Sequence, residues 1–414
     1  MKIGFLVIGN EILQGKIQDA NGPWLTKFLR PYGIVIHRQV ITGDGLDEIQ
    51  EALEFLYRQC ELVICSGGLG PTPDDVTKAA LGLFFKLPAP AFSEQAKEIA
   101  EANYQRFSRT LPDGHGYTLL SPGFVALSNP SGFAPGLVYS HDSRVLLAAP
   151  GVPKEFRDLL ALHLPPLLES RSQRQDILFL NFRTKGIPEE RIFTQLCPGL
   201  WEQLATYGKV SSLPHAYSVD VGVVLEGSAQ ELQAKSAEVR TIIGTSALAP
   251  YVWHVGAESL EEVILAEAGQ KNLTISFAES CTGGLCAHRL TNIPGSSAVF
   301  WGGVVSYDNS IKQQLLGVQA SSLAAHGAVS EVVATEMARG GQRHLGTHLC
   351  VALTGIAGPG GGSAEKPVGT VWIALASAKT VRAERFEFKG DREALKFRFS
   401  QVALFQLLDL IREH

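Results

Sequence analysis

The chain has 414 residues, of which 45% are hydrophobic and 19% charged, with a formal net charge of -5. That balance is ordinary for a globular protein and excludes long disordered tracts, while the mildly acidic charge gives no basis for a nucleic-acid-binding field. No apolar run reaches the roughly 18 residues of a membrane span, and Met1 to Asn10 lacks the h-region and cleavage site of a signal peptide, so the expected location is cytoplasmic.

At about 150 residues per domain, two or three domains are expected. The first 90 residues alternate short apolar runs with amphipathic stretches, the pattern of a parallel sheet covered by helices. Strands are predicted from Ile3 to Ile8, Ile34 to Ile41 and Leu62 to Cys65. Between them Trp24, Leu25, Phe28 and Leu29 recur at helical spacing, with Asn21 placed as the helix cap, and Ile49, Leu53 and Leu56 mark a second helix. Further strands from Leu137 to Tyr139 and Arg144 to Ala148 lead through Pro150-Gly151-Val152-Pro153 into an amphipathic segment ending near Leu168.

The polar stretch from Glu169 to Gln175 reads as a linker, which closes a first domain at residues 1–170. Predicted strands from Ile177 to Phe182 and Ser218 to Leu225, with a helix from Ala229 to Ile243, make a small α+β middle domain over residues 171–252 that reads as a spacer. The last domain, residues 253–414, opens with a helix from Leu260 to Ala268 and returns to α/β alternation. It closes on an amphipathic helix from Arg392 to Ile411. The six cysteines, Cys60, Cys65, Cys197, Cys281, Cys286 and Cys350, lack the paired spacing of a zinc site and read as buried reduced thiols.

The chemistry concentrates in Ala278-Glu279-Ser280-Cys281-Thr282-Gly283-Gly284, between the apolar run Leu273 to Phe277 and a helical segment. A hydroxyl at a strand-to-helix turn suggests a nucleophile, because free N–H groups at a helix start near Thr282 and Gly283 can hold an oxyanion. Glycines such as Gly283 and Gly284 let a substrate approach the backbone. A serine in this place is also a common helix N-cap. Serine needs a base, and Lys312 is the better candidate than His288, since a lysine in a dry pocket loses its proton more easily. Tyr307 is expected to hydrogen-bond in the same pocket. Cys281 is a rival nucleophile, given that thiolates at helix N-termini are activated. The loop Thr354-Gly355-Ile356-Ala357-Gly358-Pro359-Gly360-Gly361-Gly362 reads either as a set of amides around a phosphate or as a flexible β-connection.

These stretches, with Pro294-Gly295-Ser296-Ser297, Gly302-Gly303-Val304-Val305-Ser306-Tyr307, Gly327-Ala328-Val329-Ser330 and Lys366-Pro367-Val368-Gly369-Thr370, resemble the C-terminal domain of the CinA family. The resemblance implies an α/β amidohydrolase domain that converts nicotinamide mononucleotide to nicotinate mononucleotide and ammonia without a cofactor. It places the nucleophile on Ser280, the general base on Lys312, and supporting roles on Tyr307 and Thr354. Substrate contacts are then expected from Thr282, Gly283, Gly284, Gly355, Gly358 and Gly360, with Arg392 adding charge for the phosphate.

Near the N-terminus, Cys65-Ser66-Gly67-Gly68-Leu69-Gly70-Pro71-Thr72-Pro73-Asp74-Asp75-Val76-Thr77 runs from a strand end into a helix, where open α/β sheets bind ligands. It is not a Walker loop, because no Gly-Lys-Ser/Thr follows. Gly67, Gly68 and Gly70 let the backbone approach a phosphate, and Asp75 with Asp44 is suited to a bridging cation. Together with Gly9-Asn10-Glu11-Ile12-Leu13-Gln14-Gly15, Asp19-Ala20-Asn21, Thr42-Gly43-Asp44, Gly132 to Gly136 and Pro150 to Pro153, this block resembles the three-layer, molybdopterin-binding-like N-terminal domain of CinA proteins. The resemblance implies hydrolysis of ADP-ribose to AMP and ribose 5-phosphate with a divalent metal (Mg, Co or Mn), K+ being an additional candidate. Asn10 stands where the opening motif often carries aspartate, so the metal is assigned to Asp44 and Asp75, with Glu11 and Asn21 toward the substrate. A non-catalytic nucleotide- or molybdopterin-sensing module and a competence-related interaction protein are the alternatives, the latter disfavoured by the charge. The small-molecule nucleotides are the expected partners, without nucleic acid or membrane, and a homodimer is expected from the family.

Overall fold

The computed structural model describes residues 1–169 and 176–414, so the predicted linker beyond Glu169 lies outside the described residues. The chain divides into two compact units, Met1–Leu178 with Glu226–Gln233, and Phe179–Leu225 with Ala234–His414. Among the described residues no helix is long and apolar enough to cross a membrane.

The first unit is built on strands β1 (Ile3–Ile8), β2 (Ile36–Thr42), β3 (Leu62–Ser66), β6 (Val125–Leu127), β7 (Gly136–His141) and β8 (Arg144–Ala149), in the order β2-β1-β3-β8-β7-β6; the short β4 (Ala91–Phe92) and β5 (Leu119–Leu120) pair apart from it. Every residue of β1 is buried, as a strand covered on both faces requires. Its alternation sends Leu6 and Ile8 to one core with Ile49 and Leu53, and Ile3, Phe5 and Val7 to another with Leu25 and Phe156. β1 pairs in parallel with β2 on one side and β3 on the other. The helix Asn21–Leu29 after β1 packs on one face and the helix Leu46–Tyr57 after β2 on the other, which opens a crevice at the carboxyl end of β1.

Two local expectations change. The second strand starts at Ile36, because Gly33 turns the chain in a left-handed conformation and Ile34 packs into the core before pairing begins. Asn21 lies inside the helix Asn21–Leu29 and does not cap it; Asp19 accepts from the amides of Asn21 and Gly22 in its place.

In the rest of the chain β9 (Asp176–Lys185), β10 (Lys209–His215), β11 (Ser218–Gly227) and β12 (Val252–Val255) form a four-stranded sheet ordered β10-β11-β9-β12. The helix Ala229–Thr245 follows β11. The C-terminal sheet holds β13 (Ile275–Glu279), β14 (Phe300–Val305), β15 (Leu349–Gly355), β16 (Thr370–Ser377) and β17 (Val381–Glu387), in the order β14-β13-β15-β16-β17. β13 runs parallel to both neighbours, whereas β16 and β17 return antiparallel.

The period of two divides this sheet into a large-residue face and a small-residue face. Ile275, Phe277, Leu349, Val351 and Leu353 pack with the helices Leu260–Gln270 and Arg392–Glu413, each such side chain contributing about 1.5–3 kcal/mol on full burial. Ala278, Cys350, Ala352 and Ala374 face the helix Glu331–Leu345. Small residues on both sides let that helix sit close: a Cβ on Gly341 would stand 2.7 Å from Cys350 Sγ. Because side chains alternate, Glu279 continues the large face and Ser280 the small one.

Candidate active site

The carboxyl ends of β13, β14 and β15 meet where the helix after β13 packs on the large-residue face and the helices after β14 pack on the small-residue face. Ser280 follows β13, Ser306 and Tyr307 follow β14, and Thr354 and Gly355 end β15. They surround a cavity of about 280 Å³ that Ser280, Tyr307, Lys312, Thr354, Gly355, Gly358, Gly360 and Arg392 all line.

Lys312 comes from the helix Asn309–Leu316, whose start is capped by Asp308 accepting from the amide of Ser310. Together with Leu316 one turn on, Lys312 is buried, at 1% exposure. Its Nζ donates to Ser280 Oγ at 3.1 Å, to the Ser306 carbonyl at 2.7 Å and to the Tyr307 carbonyl at 3.2 Å. No carboxylate among the described residues forms an ion pair with it. Burial pulls its pKa below the ordinary lysine value, with Asp308 and Cys281 opposing. A neutral amine in this setting has two N–H bonds for the two carbonyls and one lone pair left for the Ser280 hydroxyl.

The helix Leu285–Thr291 treats its free amides differently from the expectation. Glu279, 1% exposed, accepts from the amides of Gly284, Cys286 and Ala287 at 3.0 to 3.1 Å. The amide of Gly283 goes to the Ser280 carbonyl. Gly283 and Gly284 take left-handed conformations, at φ 65° and 94°, so these glycines serve the reversal that folds Glu279 onto the helix start. Thr282, Gly283 and Gly284 do not line the cavity. Cavity-side amides without a backbone partner include those of Cys281, Ala357, Gly358, Gly360 and Gly361.

Cys281 is 6% exposed, and burial pushes its thiol up to about 12, which leaves little thiolate at neutral pH. All six cysteines are free and buried. Thr354 donates to the Ala328 carbonyl at 2.8 Å, tying β15 to the turn before the helix Glu331–Leu345. Tyr307 serves Lys312 through its carbonyl; its hydroxyl accepts from Arg392 Nη2 at 3.0 Å, while Arg392 Nη1 donates to the Gly358 carbonyl at 2.6 Å. Glu279 is the residue that sequence reasoning left without a role. Its signal was a carboxylate in register with Ile275 and Phe277 on the large-residue face.

The N-terminal crevice is a second cavity, of about 550 Å³, lined by Glu11, Asn21, Asp44, Gly67, Gly68, Gly70 and Asp75. Gly67 and Gly68 have φ of 111° and 66°, and a Cβ on Gly67 would lie 2.3 Å from the Ile8 carbonyl, so the loop is close-packed as well as open to a ligand. Asp75 accepts from the amide of Thr72, and Asp44 accepts from the amide of Asn10. Each uses one carboxylate oxygen and leaves the other without a protein donor. No group of three or more metal-binding side chains occurs among the described residues. Two half-used carboxylates nonetheless fit a hard cation of the kind that completes its shell with water and ligand oxygens. Asp19, Asp74 and Glu155 also line this cavity, and among the described residues no lysine or arginine does, so an anionic ligand is favoured there by a bound cation.

Residues 257–411 match the CinA C-terminal domain, and residues 4–170 match a probable molybdopterin binding domain. A putative competence-damage inducible protein from Moorella thermoacetica is 37% identical, covering 100% of this chain and 99% of its own. A CinA-like protein from Geotalea uraniireducens is 36% identical over 100% of this chain and 97% of its own. The crystal structure of the competence/damage inducible protein CihA from Agrobacterium tumefaciens is 40% identical, covering 37% of this chain and 96% of its own with a TM-score of 0.36.

Proposed function

Because the chain belongs to the CinA family and carries a molybdopterin-binding-like domain before the CinA domain, we propose that its C-terminal site is a serine–lysine amidohydrolase acting on nicotinamide mononucleotide. The observation that carries the reading is the 3.1 Å contact between Lys312 Nζ and Ser280 Oγ inside a buried site. Neutral Lys312 takes the hydroxyl proton as Oγ attacks the carboxamide carbon. The oxyanion is held by amides that the fold leaves unpaired, those of Cys281 and the loop from Ala357 to Gly361, since Glu279 occupies the helix start. Lys312 then returns the proton to the departing nitrogen, ammonia leaves, and the Ser280 ester is hydrolysed by water with Lys312 again as base. Arg392, held between Tyr307 and Gly358, faces the same cavity and suits the substrate phosphate. The test is ammonia release from nicotinamide mononucleotide by the purified chain and its Ser280→Ala variant. Release by the wild type alone supports the reading, and release by both removes Ser280 from it.

For the N-terminal cavity the acidic lining without lysine or arginine supports a metal-dependent reaction on an anionic substrate, and hydrolysis of ADP-ribose to AMP and ribose 5-phosphate is the proposed one. Asp44 and Asp75 would hold the divalent cation, which when bound neutralises diphosphate charge. AMP release with and without divalent metal tests it; saturable binding without release points instead to a sensing module.

A further inference from the structure

We propose that the N-terminal cavity contains a sugar subsite, built by Tyr117, Asn21 and Glu155, that takes the vicinal diol of a ribose. It rests on the reading of this cavity as a site for ribose phosphates; it adds Tyr117 and Glu155 to Asn21, already expected toward the substrate, and gives all three the sugar where the glycine loop and the metal-binding carboxylates read the phosphate.

Three polar groups of this cavity have hydrogen-bonding capacity that the protein leaves unused: Asn21 Oδ1 is buried without a donor, and the Tyr117 hydroxyl and Glu155 Oε1 are open to solvent. Tyr117 is 5% exposed and lines the cavity, but its phenolic hydroxyl has no hydrogen-bond partner among the described residues. Asn21 is also 5% exposed. Its Nδ2 donates to Ser66 Oγ and to the Gly151 carbonyl, both at 2.9 Å. A carbonyl only accepts, so the amide nitrogen must face Gly151 and the orientation of the side chain is determined. That leaves Asn21 Oδ1 buried with no donor. Glu155 is held through one oxygen, Oε2, which accepts from Asn129 Nδ2 at 2.7 Å; the other has no protein donor. Its carboxylate lies tightly against the backbone, since a Cβ on Gly132 would fall 1.9 Å from Oε2.

The chemistry of the missing ligand follows from this set. Asn21 Oδ1 and the Glu155 carboxylate accept only, and Tyr117 both donates and accepts, so the ligand must bring donors. A phosphate brings none at neutral pH and would be repelled by Glu155. Hydroxyls bring donors without charge, and Phe133 adds an apolar surface to the same cavity for the C–H face of a sugar. A ribose diol meets these demands, whether it belongs to the terminal ribose 5-phosphate or to the nucleoside.

The full-length protein is titrated calorimetrically, in magnesium buffer, with ribose 5-phosphate, 2-deoxyribose 5-phosphate, AMP and 2′-deoxy-AMP. One of the two pairs is expected to lose about tenfold in affinity when the 2-hydroxyl is removed, and which pair it is identifies the sugar. Tyr117→Phe is expected to bind that hydroxylated ligand about five- to tenfold more weakly and to discriminate less. Its thermal midpoint should not fall, because the ring stays and the deleted hydroxyl has no protein partner. Equal affinity within both pairs, or wild-type discrimination by Tyr117→Phe, overturns the subsite. AMP release from ADP-ribose is followed on the same samples. Release without sugar discrimination overturns the subsite alone, discrimination without release overturns the hydrolase reading alone, and no binding of any of the four ligands overturns both.

Discussion

Replacing Lys312 with methionine keeps the unbranched stem of the side chain to within one atom and removes the amine on which the proposed chemistry depends. The general base is lost, and a positioned base contributes typically 10²–10⁴-fold, so turnover should fall by about 10³, equivalent to about 4 kcal/mol of barrier. Substrate binding should remain, because the cavity keeps its loop amides and Arg392. The variant also strands the Ser306 and Tyr307 carbonyls that Nζ now satisfies. Unmet carbonyls cost about 1–3 kcal/mol each, but the amine's own desolvation disappears, so a net loss of about 1–2 kcal/mol is expected. The pH dependence separates these effects. Burial lowers the Lys312 pKa below 10.5. Between the lowered value and 10.5 the unfolded chain holds a proton that the folded chain does not, so wild-type stability rises with pH across that window relative to the variant. Below the lowered value kcat/KM of the wild type should rise tenfold per pH unit, and it should level above it. Ammonia release, ligand titration and denaturant unfolding from pH 6 to 10 measure all three. Turnover within tenfold of wild type, or a flat wild-type kcat/KM profile across that range, refutes the base assignment.

The thiol beside the nucleophile offers a direct contrast: Cys281→Ala should keep activity within about threefold and cost about 1 kcal/mol of stability, whereas loss of activity comparable to Ser280→Ala would transfer the nucleophile to sulfur. Glu279→Gln exchanges a carboxylate that accepts three amides for a group with one acceptor oxygen, and denaturant unfolding should show a loss of about 2–4 kcal/mol. A loss under about 0.5 kcal/mol would mean that those amides find other partners. Asp44→Asn and Asp75→Asn should each abolish metal-stimulated AMP release and leave ammonia release untouched; a parallel fall in both activities would contradict two separate sites.

The placement of Glu279 bears on how the site is organised. A strand of alternating residues points neighbouring side chains to opposite faces. Glu279 accordingly reaches the helix Leu285–Thr291 while Ser280 reaches Lys312, and one turn supplies both a satisfied helix start and a reactive hydroxyl that lines the cavity. An isolated strand–glycine–helix pattern invites the idea that the helix amides face the ligand, but a preceding carboxylate competes for them. Motifs of this kind need their flanking acidic residue read along with the glycines.

Much of the fold was legible in short stretches of sequence. Ile275 to Glu279 is a run of strand length and Arg392 to Ile411 reads as a helix, so local pattern predicted both elements and the α/β class they imply, although Phe399 to Phe405 are buried all round the helix and not along one stripe. The buried state of Lys312 was not legible from its own helix, where a lysine among Ser310, Gln313 and Gln314 reads as solvent-facing. Nor was the unpaired condition of Tyr117, Asn21 and Glu155, which no motif marks. The physical reason is range: periodicity records which way a residue faces within a few neighbours, whereas the site depends on contacts such as Ser280 with Lys312, 32 positions apart, and Tyr307 with Arg392, 85 apart. Only the parallel crossover on either side of β13 brings those groups to one end of the sheet, and only the assembled core decides which of them are kept from water.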